Sequence, residues 1–141
     1  MALRLSSQLC FPLYAAARQV TGLYTPYLTP LGLTYTQYVV LLALWEEDGL
    51  SVGQLGERLF LDSGTLTPVL KKLSDRGLLT RTREKKDERV VTLRLTQAGQ
   101  DFREKVRDIP LKVGACVPLK PEEGAELYRL LYKLLLHGDS P

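Results

Sequence analysis

A chain of 141 residues, 45% hydrophobic and 25% charged, has room for one folded domain and the composition of a globular protein. No apolar run reaches about 18 residues and the N-terminus lacks a secretion-signal core, so neither a membrane span nor export is expected and the location is cytoplasmic. Cys10 and Cys116 are the two cysteines and His137 the lone histidine, too few for structural zinc; no metal or cofactor is expected, and in a reducing cytosol both cysteines begin as thiols.

Leu9, Leu13, Ala16, Val20, Leu23 and Tyr27 recur at three- and four-residue steps and predict a first helix. Placing Pro12 in its first turn puts Cys10 at or near the helix N-terminus. Pro26, Pro30 and Gly32 then break the chain. Thr34 with Gln37 has the spacing of a capping box, opening a helix to about Glu47 with Tyr38, Leu41, Leu42 and Trp45 on its inner stripe. Ser51 with Gln54 has the same spacing and opens a short helix through Val52, Leu55 and Leu59.

The following helix turns Leu66, Val69, Leu70 and Leu73 inward and ends at Gly77. Pro68 leaves its start open. Either Ser63 caps the helix and Pro68 is strained, or Thr67 caps it with Pro68 at the first helical position. A strand, a charged tip at 84–89 and a second strand closing on Leu95 come next. Thr96 is placed to cap a long helix to about Lys112, bent or interrupted at Pro110. Beyond Pro118 and Pro121, a last helix carries Leu127, Leu130, Leu131, Leu134 and Leu135.

Two helices joined by a few residues, the second followed by a hairpin, is the order of a winged helix-turn-helix. The expected fold is mainly α with a small β wing: a winged core at 34–99 inside a single domain, with segments 1–30 and 100–141 flanking it. The flanking helices are rich in leucine and the core has no need of them. They are therefore read as dimerisation helices of a two-fold homodimer, the alternative being caps on the same subunit.

Charge points to the same function. The stretch 61–99 holds nine Lys/Arg against five Asp/Glu, a net of +4, while the whole chain is +3. Everything outside that stretch is thus slightly acidic, and the positive charge gathers where phosphates would be met. Ser63, Thr65 and Thr67 are small hydrogen-bonding groups at the end of the helix expected to face base edges. Lys71 and Lys72 follow as phosphate contacts, and Lys85 and Lys86 stand at the wing tip.

The run Asp87-Glu88-Arg89-Val90-Val91-Thr92-Leu93-Arg94-Leu95-Thr96-Gln97-Ala98-Gly99 matches D-x-R, five residues, then L-T-x-x-G, and so resembles the signature of the MarR family. In that setting Asp87 braces the turn and holds Arg89 extended for a narrow minor groove; the plainer alternative is a surface ion pair of little consequence.

Three further segments sharpen the resemblance: Leu9-Cys10-Phe11-Pro12-Leu13-Tyr14, Leu33-Thr34-Tyr35-Thr36-Gln37-Tyr38, and Leu61-Asp62-Ser63-Gly64-Thr65-Leu66-Thr67-Pro68. They are similar to the organic hydroperoxide resistance regulators, and the likeness runs from about residue 9 to residue 136. Where this chain has Pro12, that group usually has an aliphatic residue. The resemblance implies that Cys10 is a peroxide-sensing thiol, that Tyr24 and Tyr35 are its hydrogen-bonding partners, and that Phe11 and Tyr14 help to shape the pocket. It further implies that Cys116, in a loosened stretch between Pro110 and Pro118, resolves the oxidised sensor of the other subunit as a disulfide. An inert, packed cysteine is the alternative at both positions. General chemistry agrees for Cys10, because a helix N-terminus favours a thiolate and apolar surroundings suit an organic oxidant.

The function expected is a repressor of transcription that holds two-fold operator DNA as a homodimer and is released by an organic hydroperoxide. Three alternatives remain: a regulator released by a phenolic ligand without redox chemistry, a thiol peroxidase, and a winged-helix protein-interaction module.

Overall fold

The computed structural model describes residues 3–137; positions 1–2 and 138–141, assigned from sequence to the flanking segments, lie outside the described residues. After a 3-10 turn at Leu5–Ser7, helix α1 (Cys10–Gly22) begins with Leu9 as N-cap and no side-chain cap. Pro12 is its third residue, where the missing N–H removes only a donor that has no partner inside the helix. The helix stops at Gly22, and α2 (Thr25–Leu28) and a 3-10 turn (Thr29–Leu31) follow. The expected stripe from Leu9 to Tyr27 thus spans two helices. Gly32 closes the segment at φ +70°, a left-handed conformation that favours glycine.

Both capping boxes form. Thr34 Oγ1 accepts from Gln37 N at 3.2 Å and Gln37 Oε1 from Thr34 N at 3.0 Å, opening α3 (Tyr35–Glu46). Ser51 and Gln54 repeat the arrangement at 3.1 and 2.9 Å, opening α4 (Val52–Leu59). Tyr38 and Leu41 are buried in α3 as expected, but so are Val40, Ala43 and Leu44, while Leu42 lies exposed. Elements on several sides pack against this helix, α2 and α4 among them, so its apolar positions do not form a single stripe.

Asp62, rather than Ser63 or Thr67, caps α5 (Ser63–Asp75), its Oδ1 accepting from Thr65 N at 2.6 Å. A carboxylate at an N-cap meets the positive end of the helix as well as an unpaired N–H, and both effects favour Asp62. Pro68 therefore sits inside α5, on its exposed side. The hairpin pairs β1 (Leu79–Arg83) with β2 (Val91–Leu95) antiparallel, Leu79 opposite Leu95 and Arg83 opposite Val91. Leu93 N donates to Leu50 O at 2.8 Å and Ser51 bridges Thr92, so the residues just before α4 anchor the wing.

Thr96 caps the next helix as expected, but the long helix is three short ones: α6 (Gln97–Asp101), α7 (Arg103–Val106) and α8 (Ile109–Gly114). Pro110 is the second residue of α8 and the break falls before it. The proline ring obstructs the carbonyl four residues earlier and so acts on the turn that precedes it. The last helix is α9 (Pro121–Leu136).

Leu41, Leu44, Leu55, Leu66, Leu70, Leu73, Leu79 and Leu93 form the centre of the core, at the meeting of α3, α4, α5 and the hairpin. By contrast α1 and α9 contain no fully buried residue. Leu9, Leu13, Leu127, Leu130 and Leu134 are all exposed, and they line one groove of about 690 Å³ between the two helices. Burying a leucine contributes about 2 kcal/mol, so this face is a large unsatisfied apolar surface in a single chain.

Candidate functional site

The exposed edge of α5 carries Ser63, Thr65 and Thr67 in its first half and Lys71 and Lys72 in its second. Thr67 Oγ1 donates to Ser63 O at 2.7 Å, which spends its proton on the helix and leaves the oxygen as an acceptor. Lys71 Nζ pairs with Asp75 at 2.9 Å, with both side chains mostly in solvent. Such a pair is weak and yields readily to a phosphate.

At the wing, Asp87 grips Arg89 from three directions: Oδ1 accepts from Arg89 N and Nε, each at 3.1 Å, and Oδ2 accepts from Nη2 at 3.2 Å. The Arg89 hydrogen bonds hold the Asp87 carboxyl below its ordinary range. The Arg89 side chain itself is 91% exposed. The pair therefore fixes direction more than it adds stability. The rest of the tip is braced by Glu84 N to Val90 O at 2.8 Å, Arg83 Nη1 to Glu88 O at 2.8 Å, and a hydrogen bond from Thr92 to the Glu84 carboxylate. Lys85 and Lys86 stand exposed beyond it.

Between this wing and α5 lies a groove of about 510 Å³ that brings Ser63 and Thr67 together with Arg81, Arg83 and Arg89. Arg81 and Arg83 are absent from the sequence-based set of DNA contacts. Their signal was present: in Leu79-Thr80-Arg81-Thr82-Arg83 the two arginines share the strand face of buried Leu79, and that face turns from apolar to basic as it leaves the core.

Cys10 is the first residue of α1 and is exposed, as are Phe11 and Tyr14, with the Arg18 guanidinium 5.4 Å from the Tyr14 ring centroid. Tyr24 and Tyr35 meet at the other end of that helix. Their ring centroids are 5.2 Å apart, and Tyr38 completes a trio at 5.5 Å from Tyr24 and 6.3 Å from Tyr35. Burial raises the Tyr24 and Tyr35 phenols and pushes Tyr38 up to about 12, so all three stay protonated donors at neutral pH. Sequence reasoning placed Tyr38 in the core only. Tyr24 is fourteen residues beyond Cys10, and a rise of about 1.5 Å per residue separates them by roughly 20 Å. Cys10 and the tyrosine trio therefore do not meet within one chain. Cys116 lies in the turn after α8, exposed and unbridged, its Sγ 3.5 Å from Lys112 O.

A helix-turn-helix with an arginine-bearing wing is a DNA reader by geometry, and known proteins agree. A family profile described as transcriptional regulator SarA/Rot matches residues 22–109. The organic hydroperoxide resistance transcriptional regulator of Bacillus subtilis (strain 168) is 47% identical over 136 residues, which cover 94% of this chain and 90% of that relative. The chain belongs to the organic hydroperoxide resistance branch of the MarR family.

This regulator also resembles solved structures. Reduced AbfR bound to DNA matches with a TM-score of 0.79 at 37% identity, over 96% of this chain and 94% of that one. AbfR, a Staphylococcus epidermidis protein, matches in its disulfide-formed state with a TM-score of 0.62 at 36% identity, over 95% and 89% of the two chains. The expected winged-helix fold and the role of a DNA-binding transcriptional regulator stand. The relatives are regulators rather than enzymes, which sets the thiol peroxidase aside.

Proposed function

We propose that this regulator is a homodimeric repressor that holds a two-fold-symmetric operator and leaves it when an organic hydroperoxide oxidises Cys10. The observation that carries the reading is the separation of Cys10 from its tyrosines along a helix whose apolar face is bare. A two-fold dimer built on α1 and α9 buries Leu9, Leu13, Leu127, Leu130 and Leu134. If the α1 helices run antiparallel, it also brings Cys10 of one subunit to Tyr24 and Tyr35 of the partner subunit. One contact surface then satisfies both the hydrophobic face and the thiol chemistry.

The thiolate sulfur attacks the terminal oxygen of the hydroperoxide. An S–O bond forms, the O–O bond breaks, and the departing alkoxide takes a proton and leaves as an alcohol. Tyrosine hydroxyls donate to the thiolate before attack and to the peroxide oxygens during it. Sulfur has been oxidised by two electrons to a sulfenic acid. The thiol of Cys116 of the partner subunit then displaces water from that sulfur and closes a disulfide. The two-cysteine arrangement is supported by the position of Cys116 in an exposed turn flanked by Gly114 and Pro118.

In the reduced state Ser63, Thr65 and Thr67 read base edges, Lys71, Lys72, Lys85 and Lys86 meet phosphates, and Arg89, aimed by Asp87, enters the minor groove. The test is a gel shift on a duplex selected from a random pool by the reduced protein. Cumene hydroperoxide should release the duplex and dithiothreitol should restore binding. Indifference to the oxidant, with release by a phenolic ligand instead, would replace this reading with the ligand-gated one.

A further inference from the structure

Arg76 belongs neither to the DNA-contact set nor to the thiol chemistry, yet it joins three parts of the molecule. It is the C-cap residue of α5, just before Gly77. Its Nη1 donates to Gly32 O at 2.8 Å and its Nη2 to Leu31 O at 2.9 Å. Its guanidinium carbon lies 5.6 Å from the centroid of the Phe102 ring, at the break between α6 and α7. The fit is close: a Cβ on Gly32 would stand 3.4 Å from Nη1, on a backbone already at φ +70°.

Both gripped carbonyls lie in the segment that runs from Tyr24 to Tyr35. Tyr24 is the N-cap of α2 and Tyr35 the first residue of α3, so the two phenols flank the stretch whose middle Arg76 holds. A planar guanidinium can donate to two successive carbonyls at once, and a charged donor makes each bond stronger than a neutral one. We propose that Arg76 is a positioning residue that ties the tyrosine-bearing segment to the end of the recognition helix and carries the effect of Cys10 oxidation to the DNA. The inference rests on the redox-repressor reading above. When oxidation shifts Tyr24 and Tyr35, Leu31 and Gly32 shift with them, and the guanidinium either drags the end of α5 or lets go. Each outcome changes the set of the recognition helix relative to the half-site. The competing route is the direct packing of α3 on α5, which does not need Arg76.

The measured quantity is the ratio of affinities of reduced and cumene hydroperoxide-treated protein for one duplex, selected as above, with Cys10 oxidation followed by mass spectrometry. Allosteric couplings are commonly of order tenfold or more, and the full-length wild type should lose about that much on oxidation. In Arg76→Ala the ratio should fall to within about twofold of one, while Cys10 oxidises at the wild-type rate. A merely structural role would weaken both states together and leave the ratio alone. Arg76→Lys keeps the charge but loses the planar fork and cannot span two carbonyls, so its ratio should also collapse; it decides the matter if Arg76→Ala does not fold. A wild-type ratio in the folded variants overturns the inference and leaves the redox reading intact. A wild type that hydroperoxide does not release overturns both.

Discussion

The indole Nε1 of Trp45 donates to the carbonyl of Gly99 at 3.0 Å, joining α3 to the first turn of α6. Gly99 ends the L-T-x-x-G run, and the reason for glycine there is steric. A Cβ at this position would lie 2.0 Å from the carbonyl oxygen of Leu78, which is backbone and cannot swing aside. Thr96 tightens the same corner, because its hydroxyl donates to Gly77 O at 2.5 Å and accepts from Gly99 N at 3.0 Å. The turn that follows α5, the closing end of β2 and the start of α6 are packed backbone to backbone.

Gly99→Ala should therefore destabilise the protein by about 2–4 kcal/mol, the scale of a forced overlap in a packed interior. Urea unfolding followed by Trp45 fluorescence measures it. A loss below about 0.5 kcal/mol would mean that Leu78 and Gly99 separate easily.

Cys10→Ser keeps a hydrogen-bonding group but no oxidisable sulfur. Reduced-state DNA affinity should match wild type within about twofold, and release by cumene hydroperoxide should vanish. Tyr24→Phe and Tyr35→Phe each remove a hydroxyl but keep a ring of the trio. Both should slow Cys10 oxidation by about tenfold, the order of one lost hydrogen bond to a charged group, with little change in DNA affinity. Stopped-flow thiol consumption gives the rates, and wild-type rates in both variants would dismiss the tyrosines.

On the DNA face, the aimed arginine and the plain cations should separate. Arg89→Ala should cost about 1–3 kcal/mol on the selected duplex and less on random DNA. Lys85→Ala or Arg81→Ala should weaken both duplexes alike and reduce the salt slope by about one unit each. Asp87→Asn tests the brace: it leaves Arg89 in place but loosens its direction, so part of the Arg89 effect should appear. Fluorescence anisotropy at several salt concentrations distinguishes these outcomes.

Cys116 decides between two kinds of sensor. Hydroperoxide should convert the wild type into a disulfide-linked dimer on non-reducing gels, and Cys116→Ser should remain unlinked. Without a resolving thiol the sulfenic acid stays open to further oxidation, so Cys116→Ser should accumulate sulfinic and sulfonic Cys10 and lose reversal by dithiothreitol. Oxidised wild type running as a monomer, with Cys116 free, would leave that cysteine as an ordinary surface residue.

Much of this architecture is written locally. The boxes at Thr34 and Ser51, the cap at Thr96, the position of Pro12 and the hairpin all involve residues a few positions apart, and short-range sterics and hydrogen bonds settle such features before any tertiary contact forms. Local rules failed where two of them competed. Asp62 stands directly before Ser63, either can cap, and the carboxylate prevails; at Pro110 the choice lay between a bend and an interruption, and the helix is interrupted just before it. The rest required the folded chain. Tyr24, Tyr35 and Tyr38 become one cluster only when α3 packs back beside α2. Arg76 finds Leu31 and Gly32 across more than forty positions, and Arg81 joins Thr67 only across the groove between β1 and α5. Residue types reveal which side chains are able to bond, but burial against a distant element decides which of them do, because that burial excludes water as the competing partner.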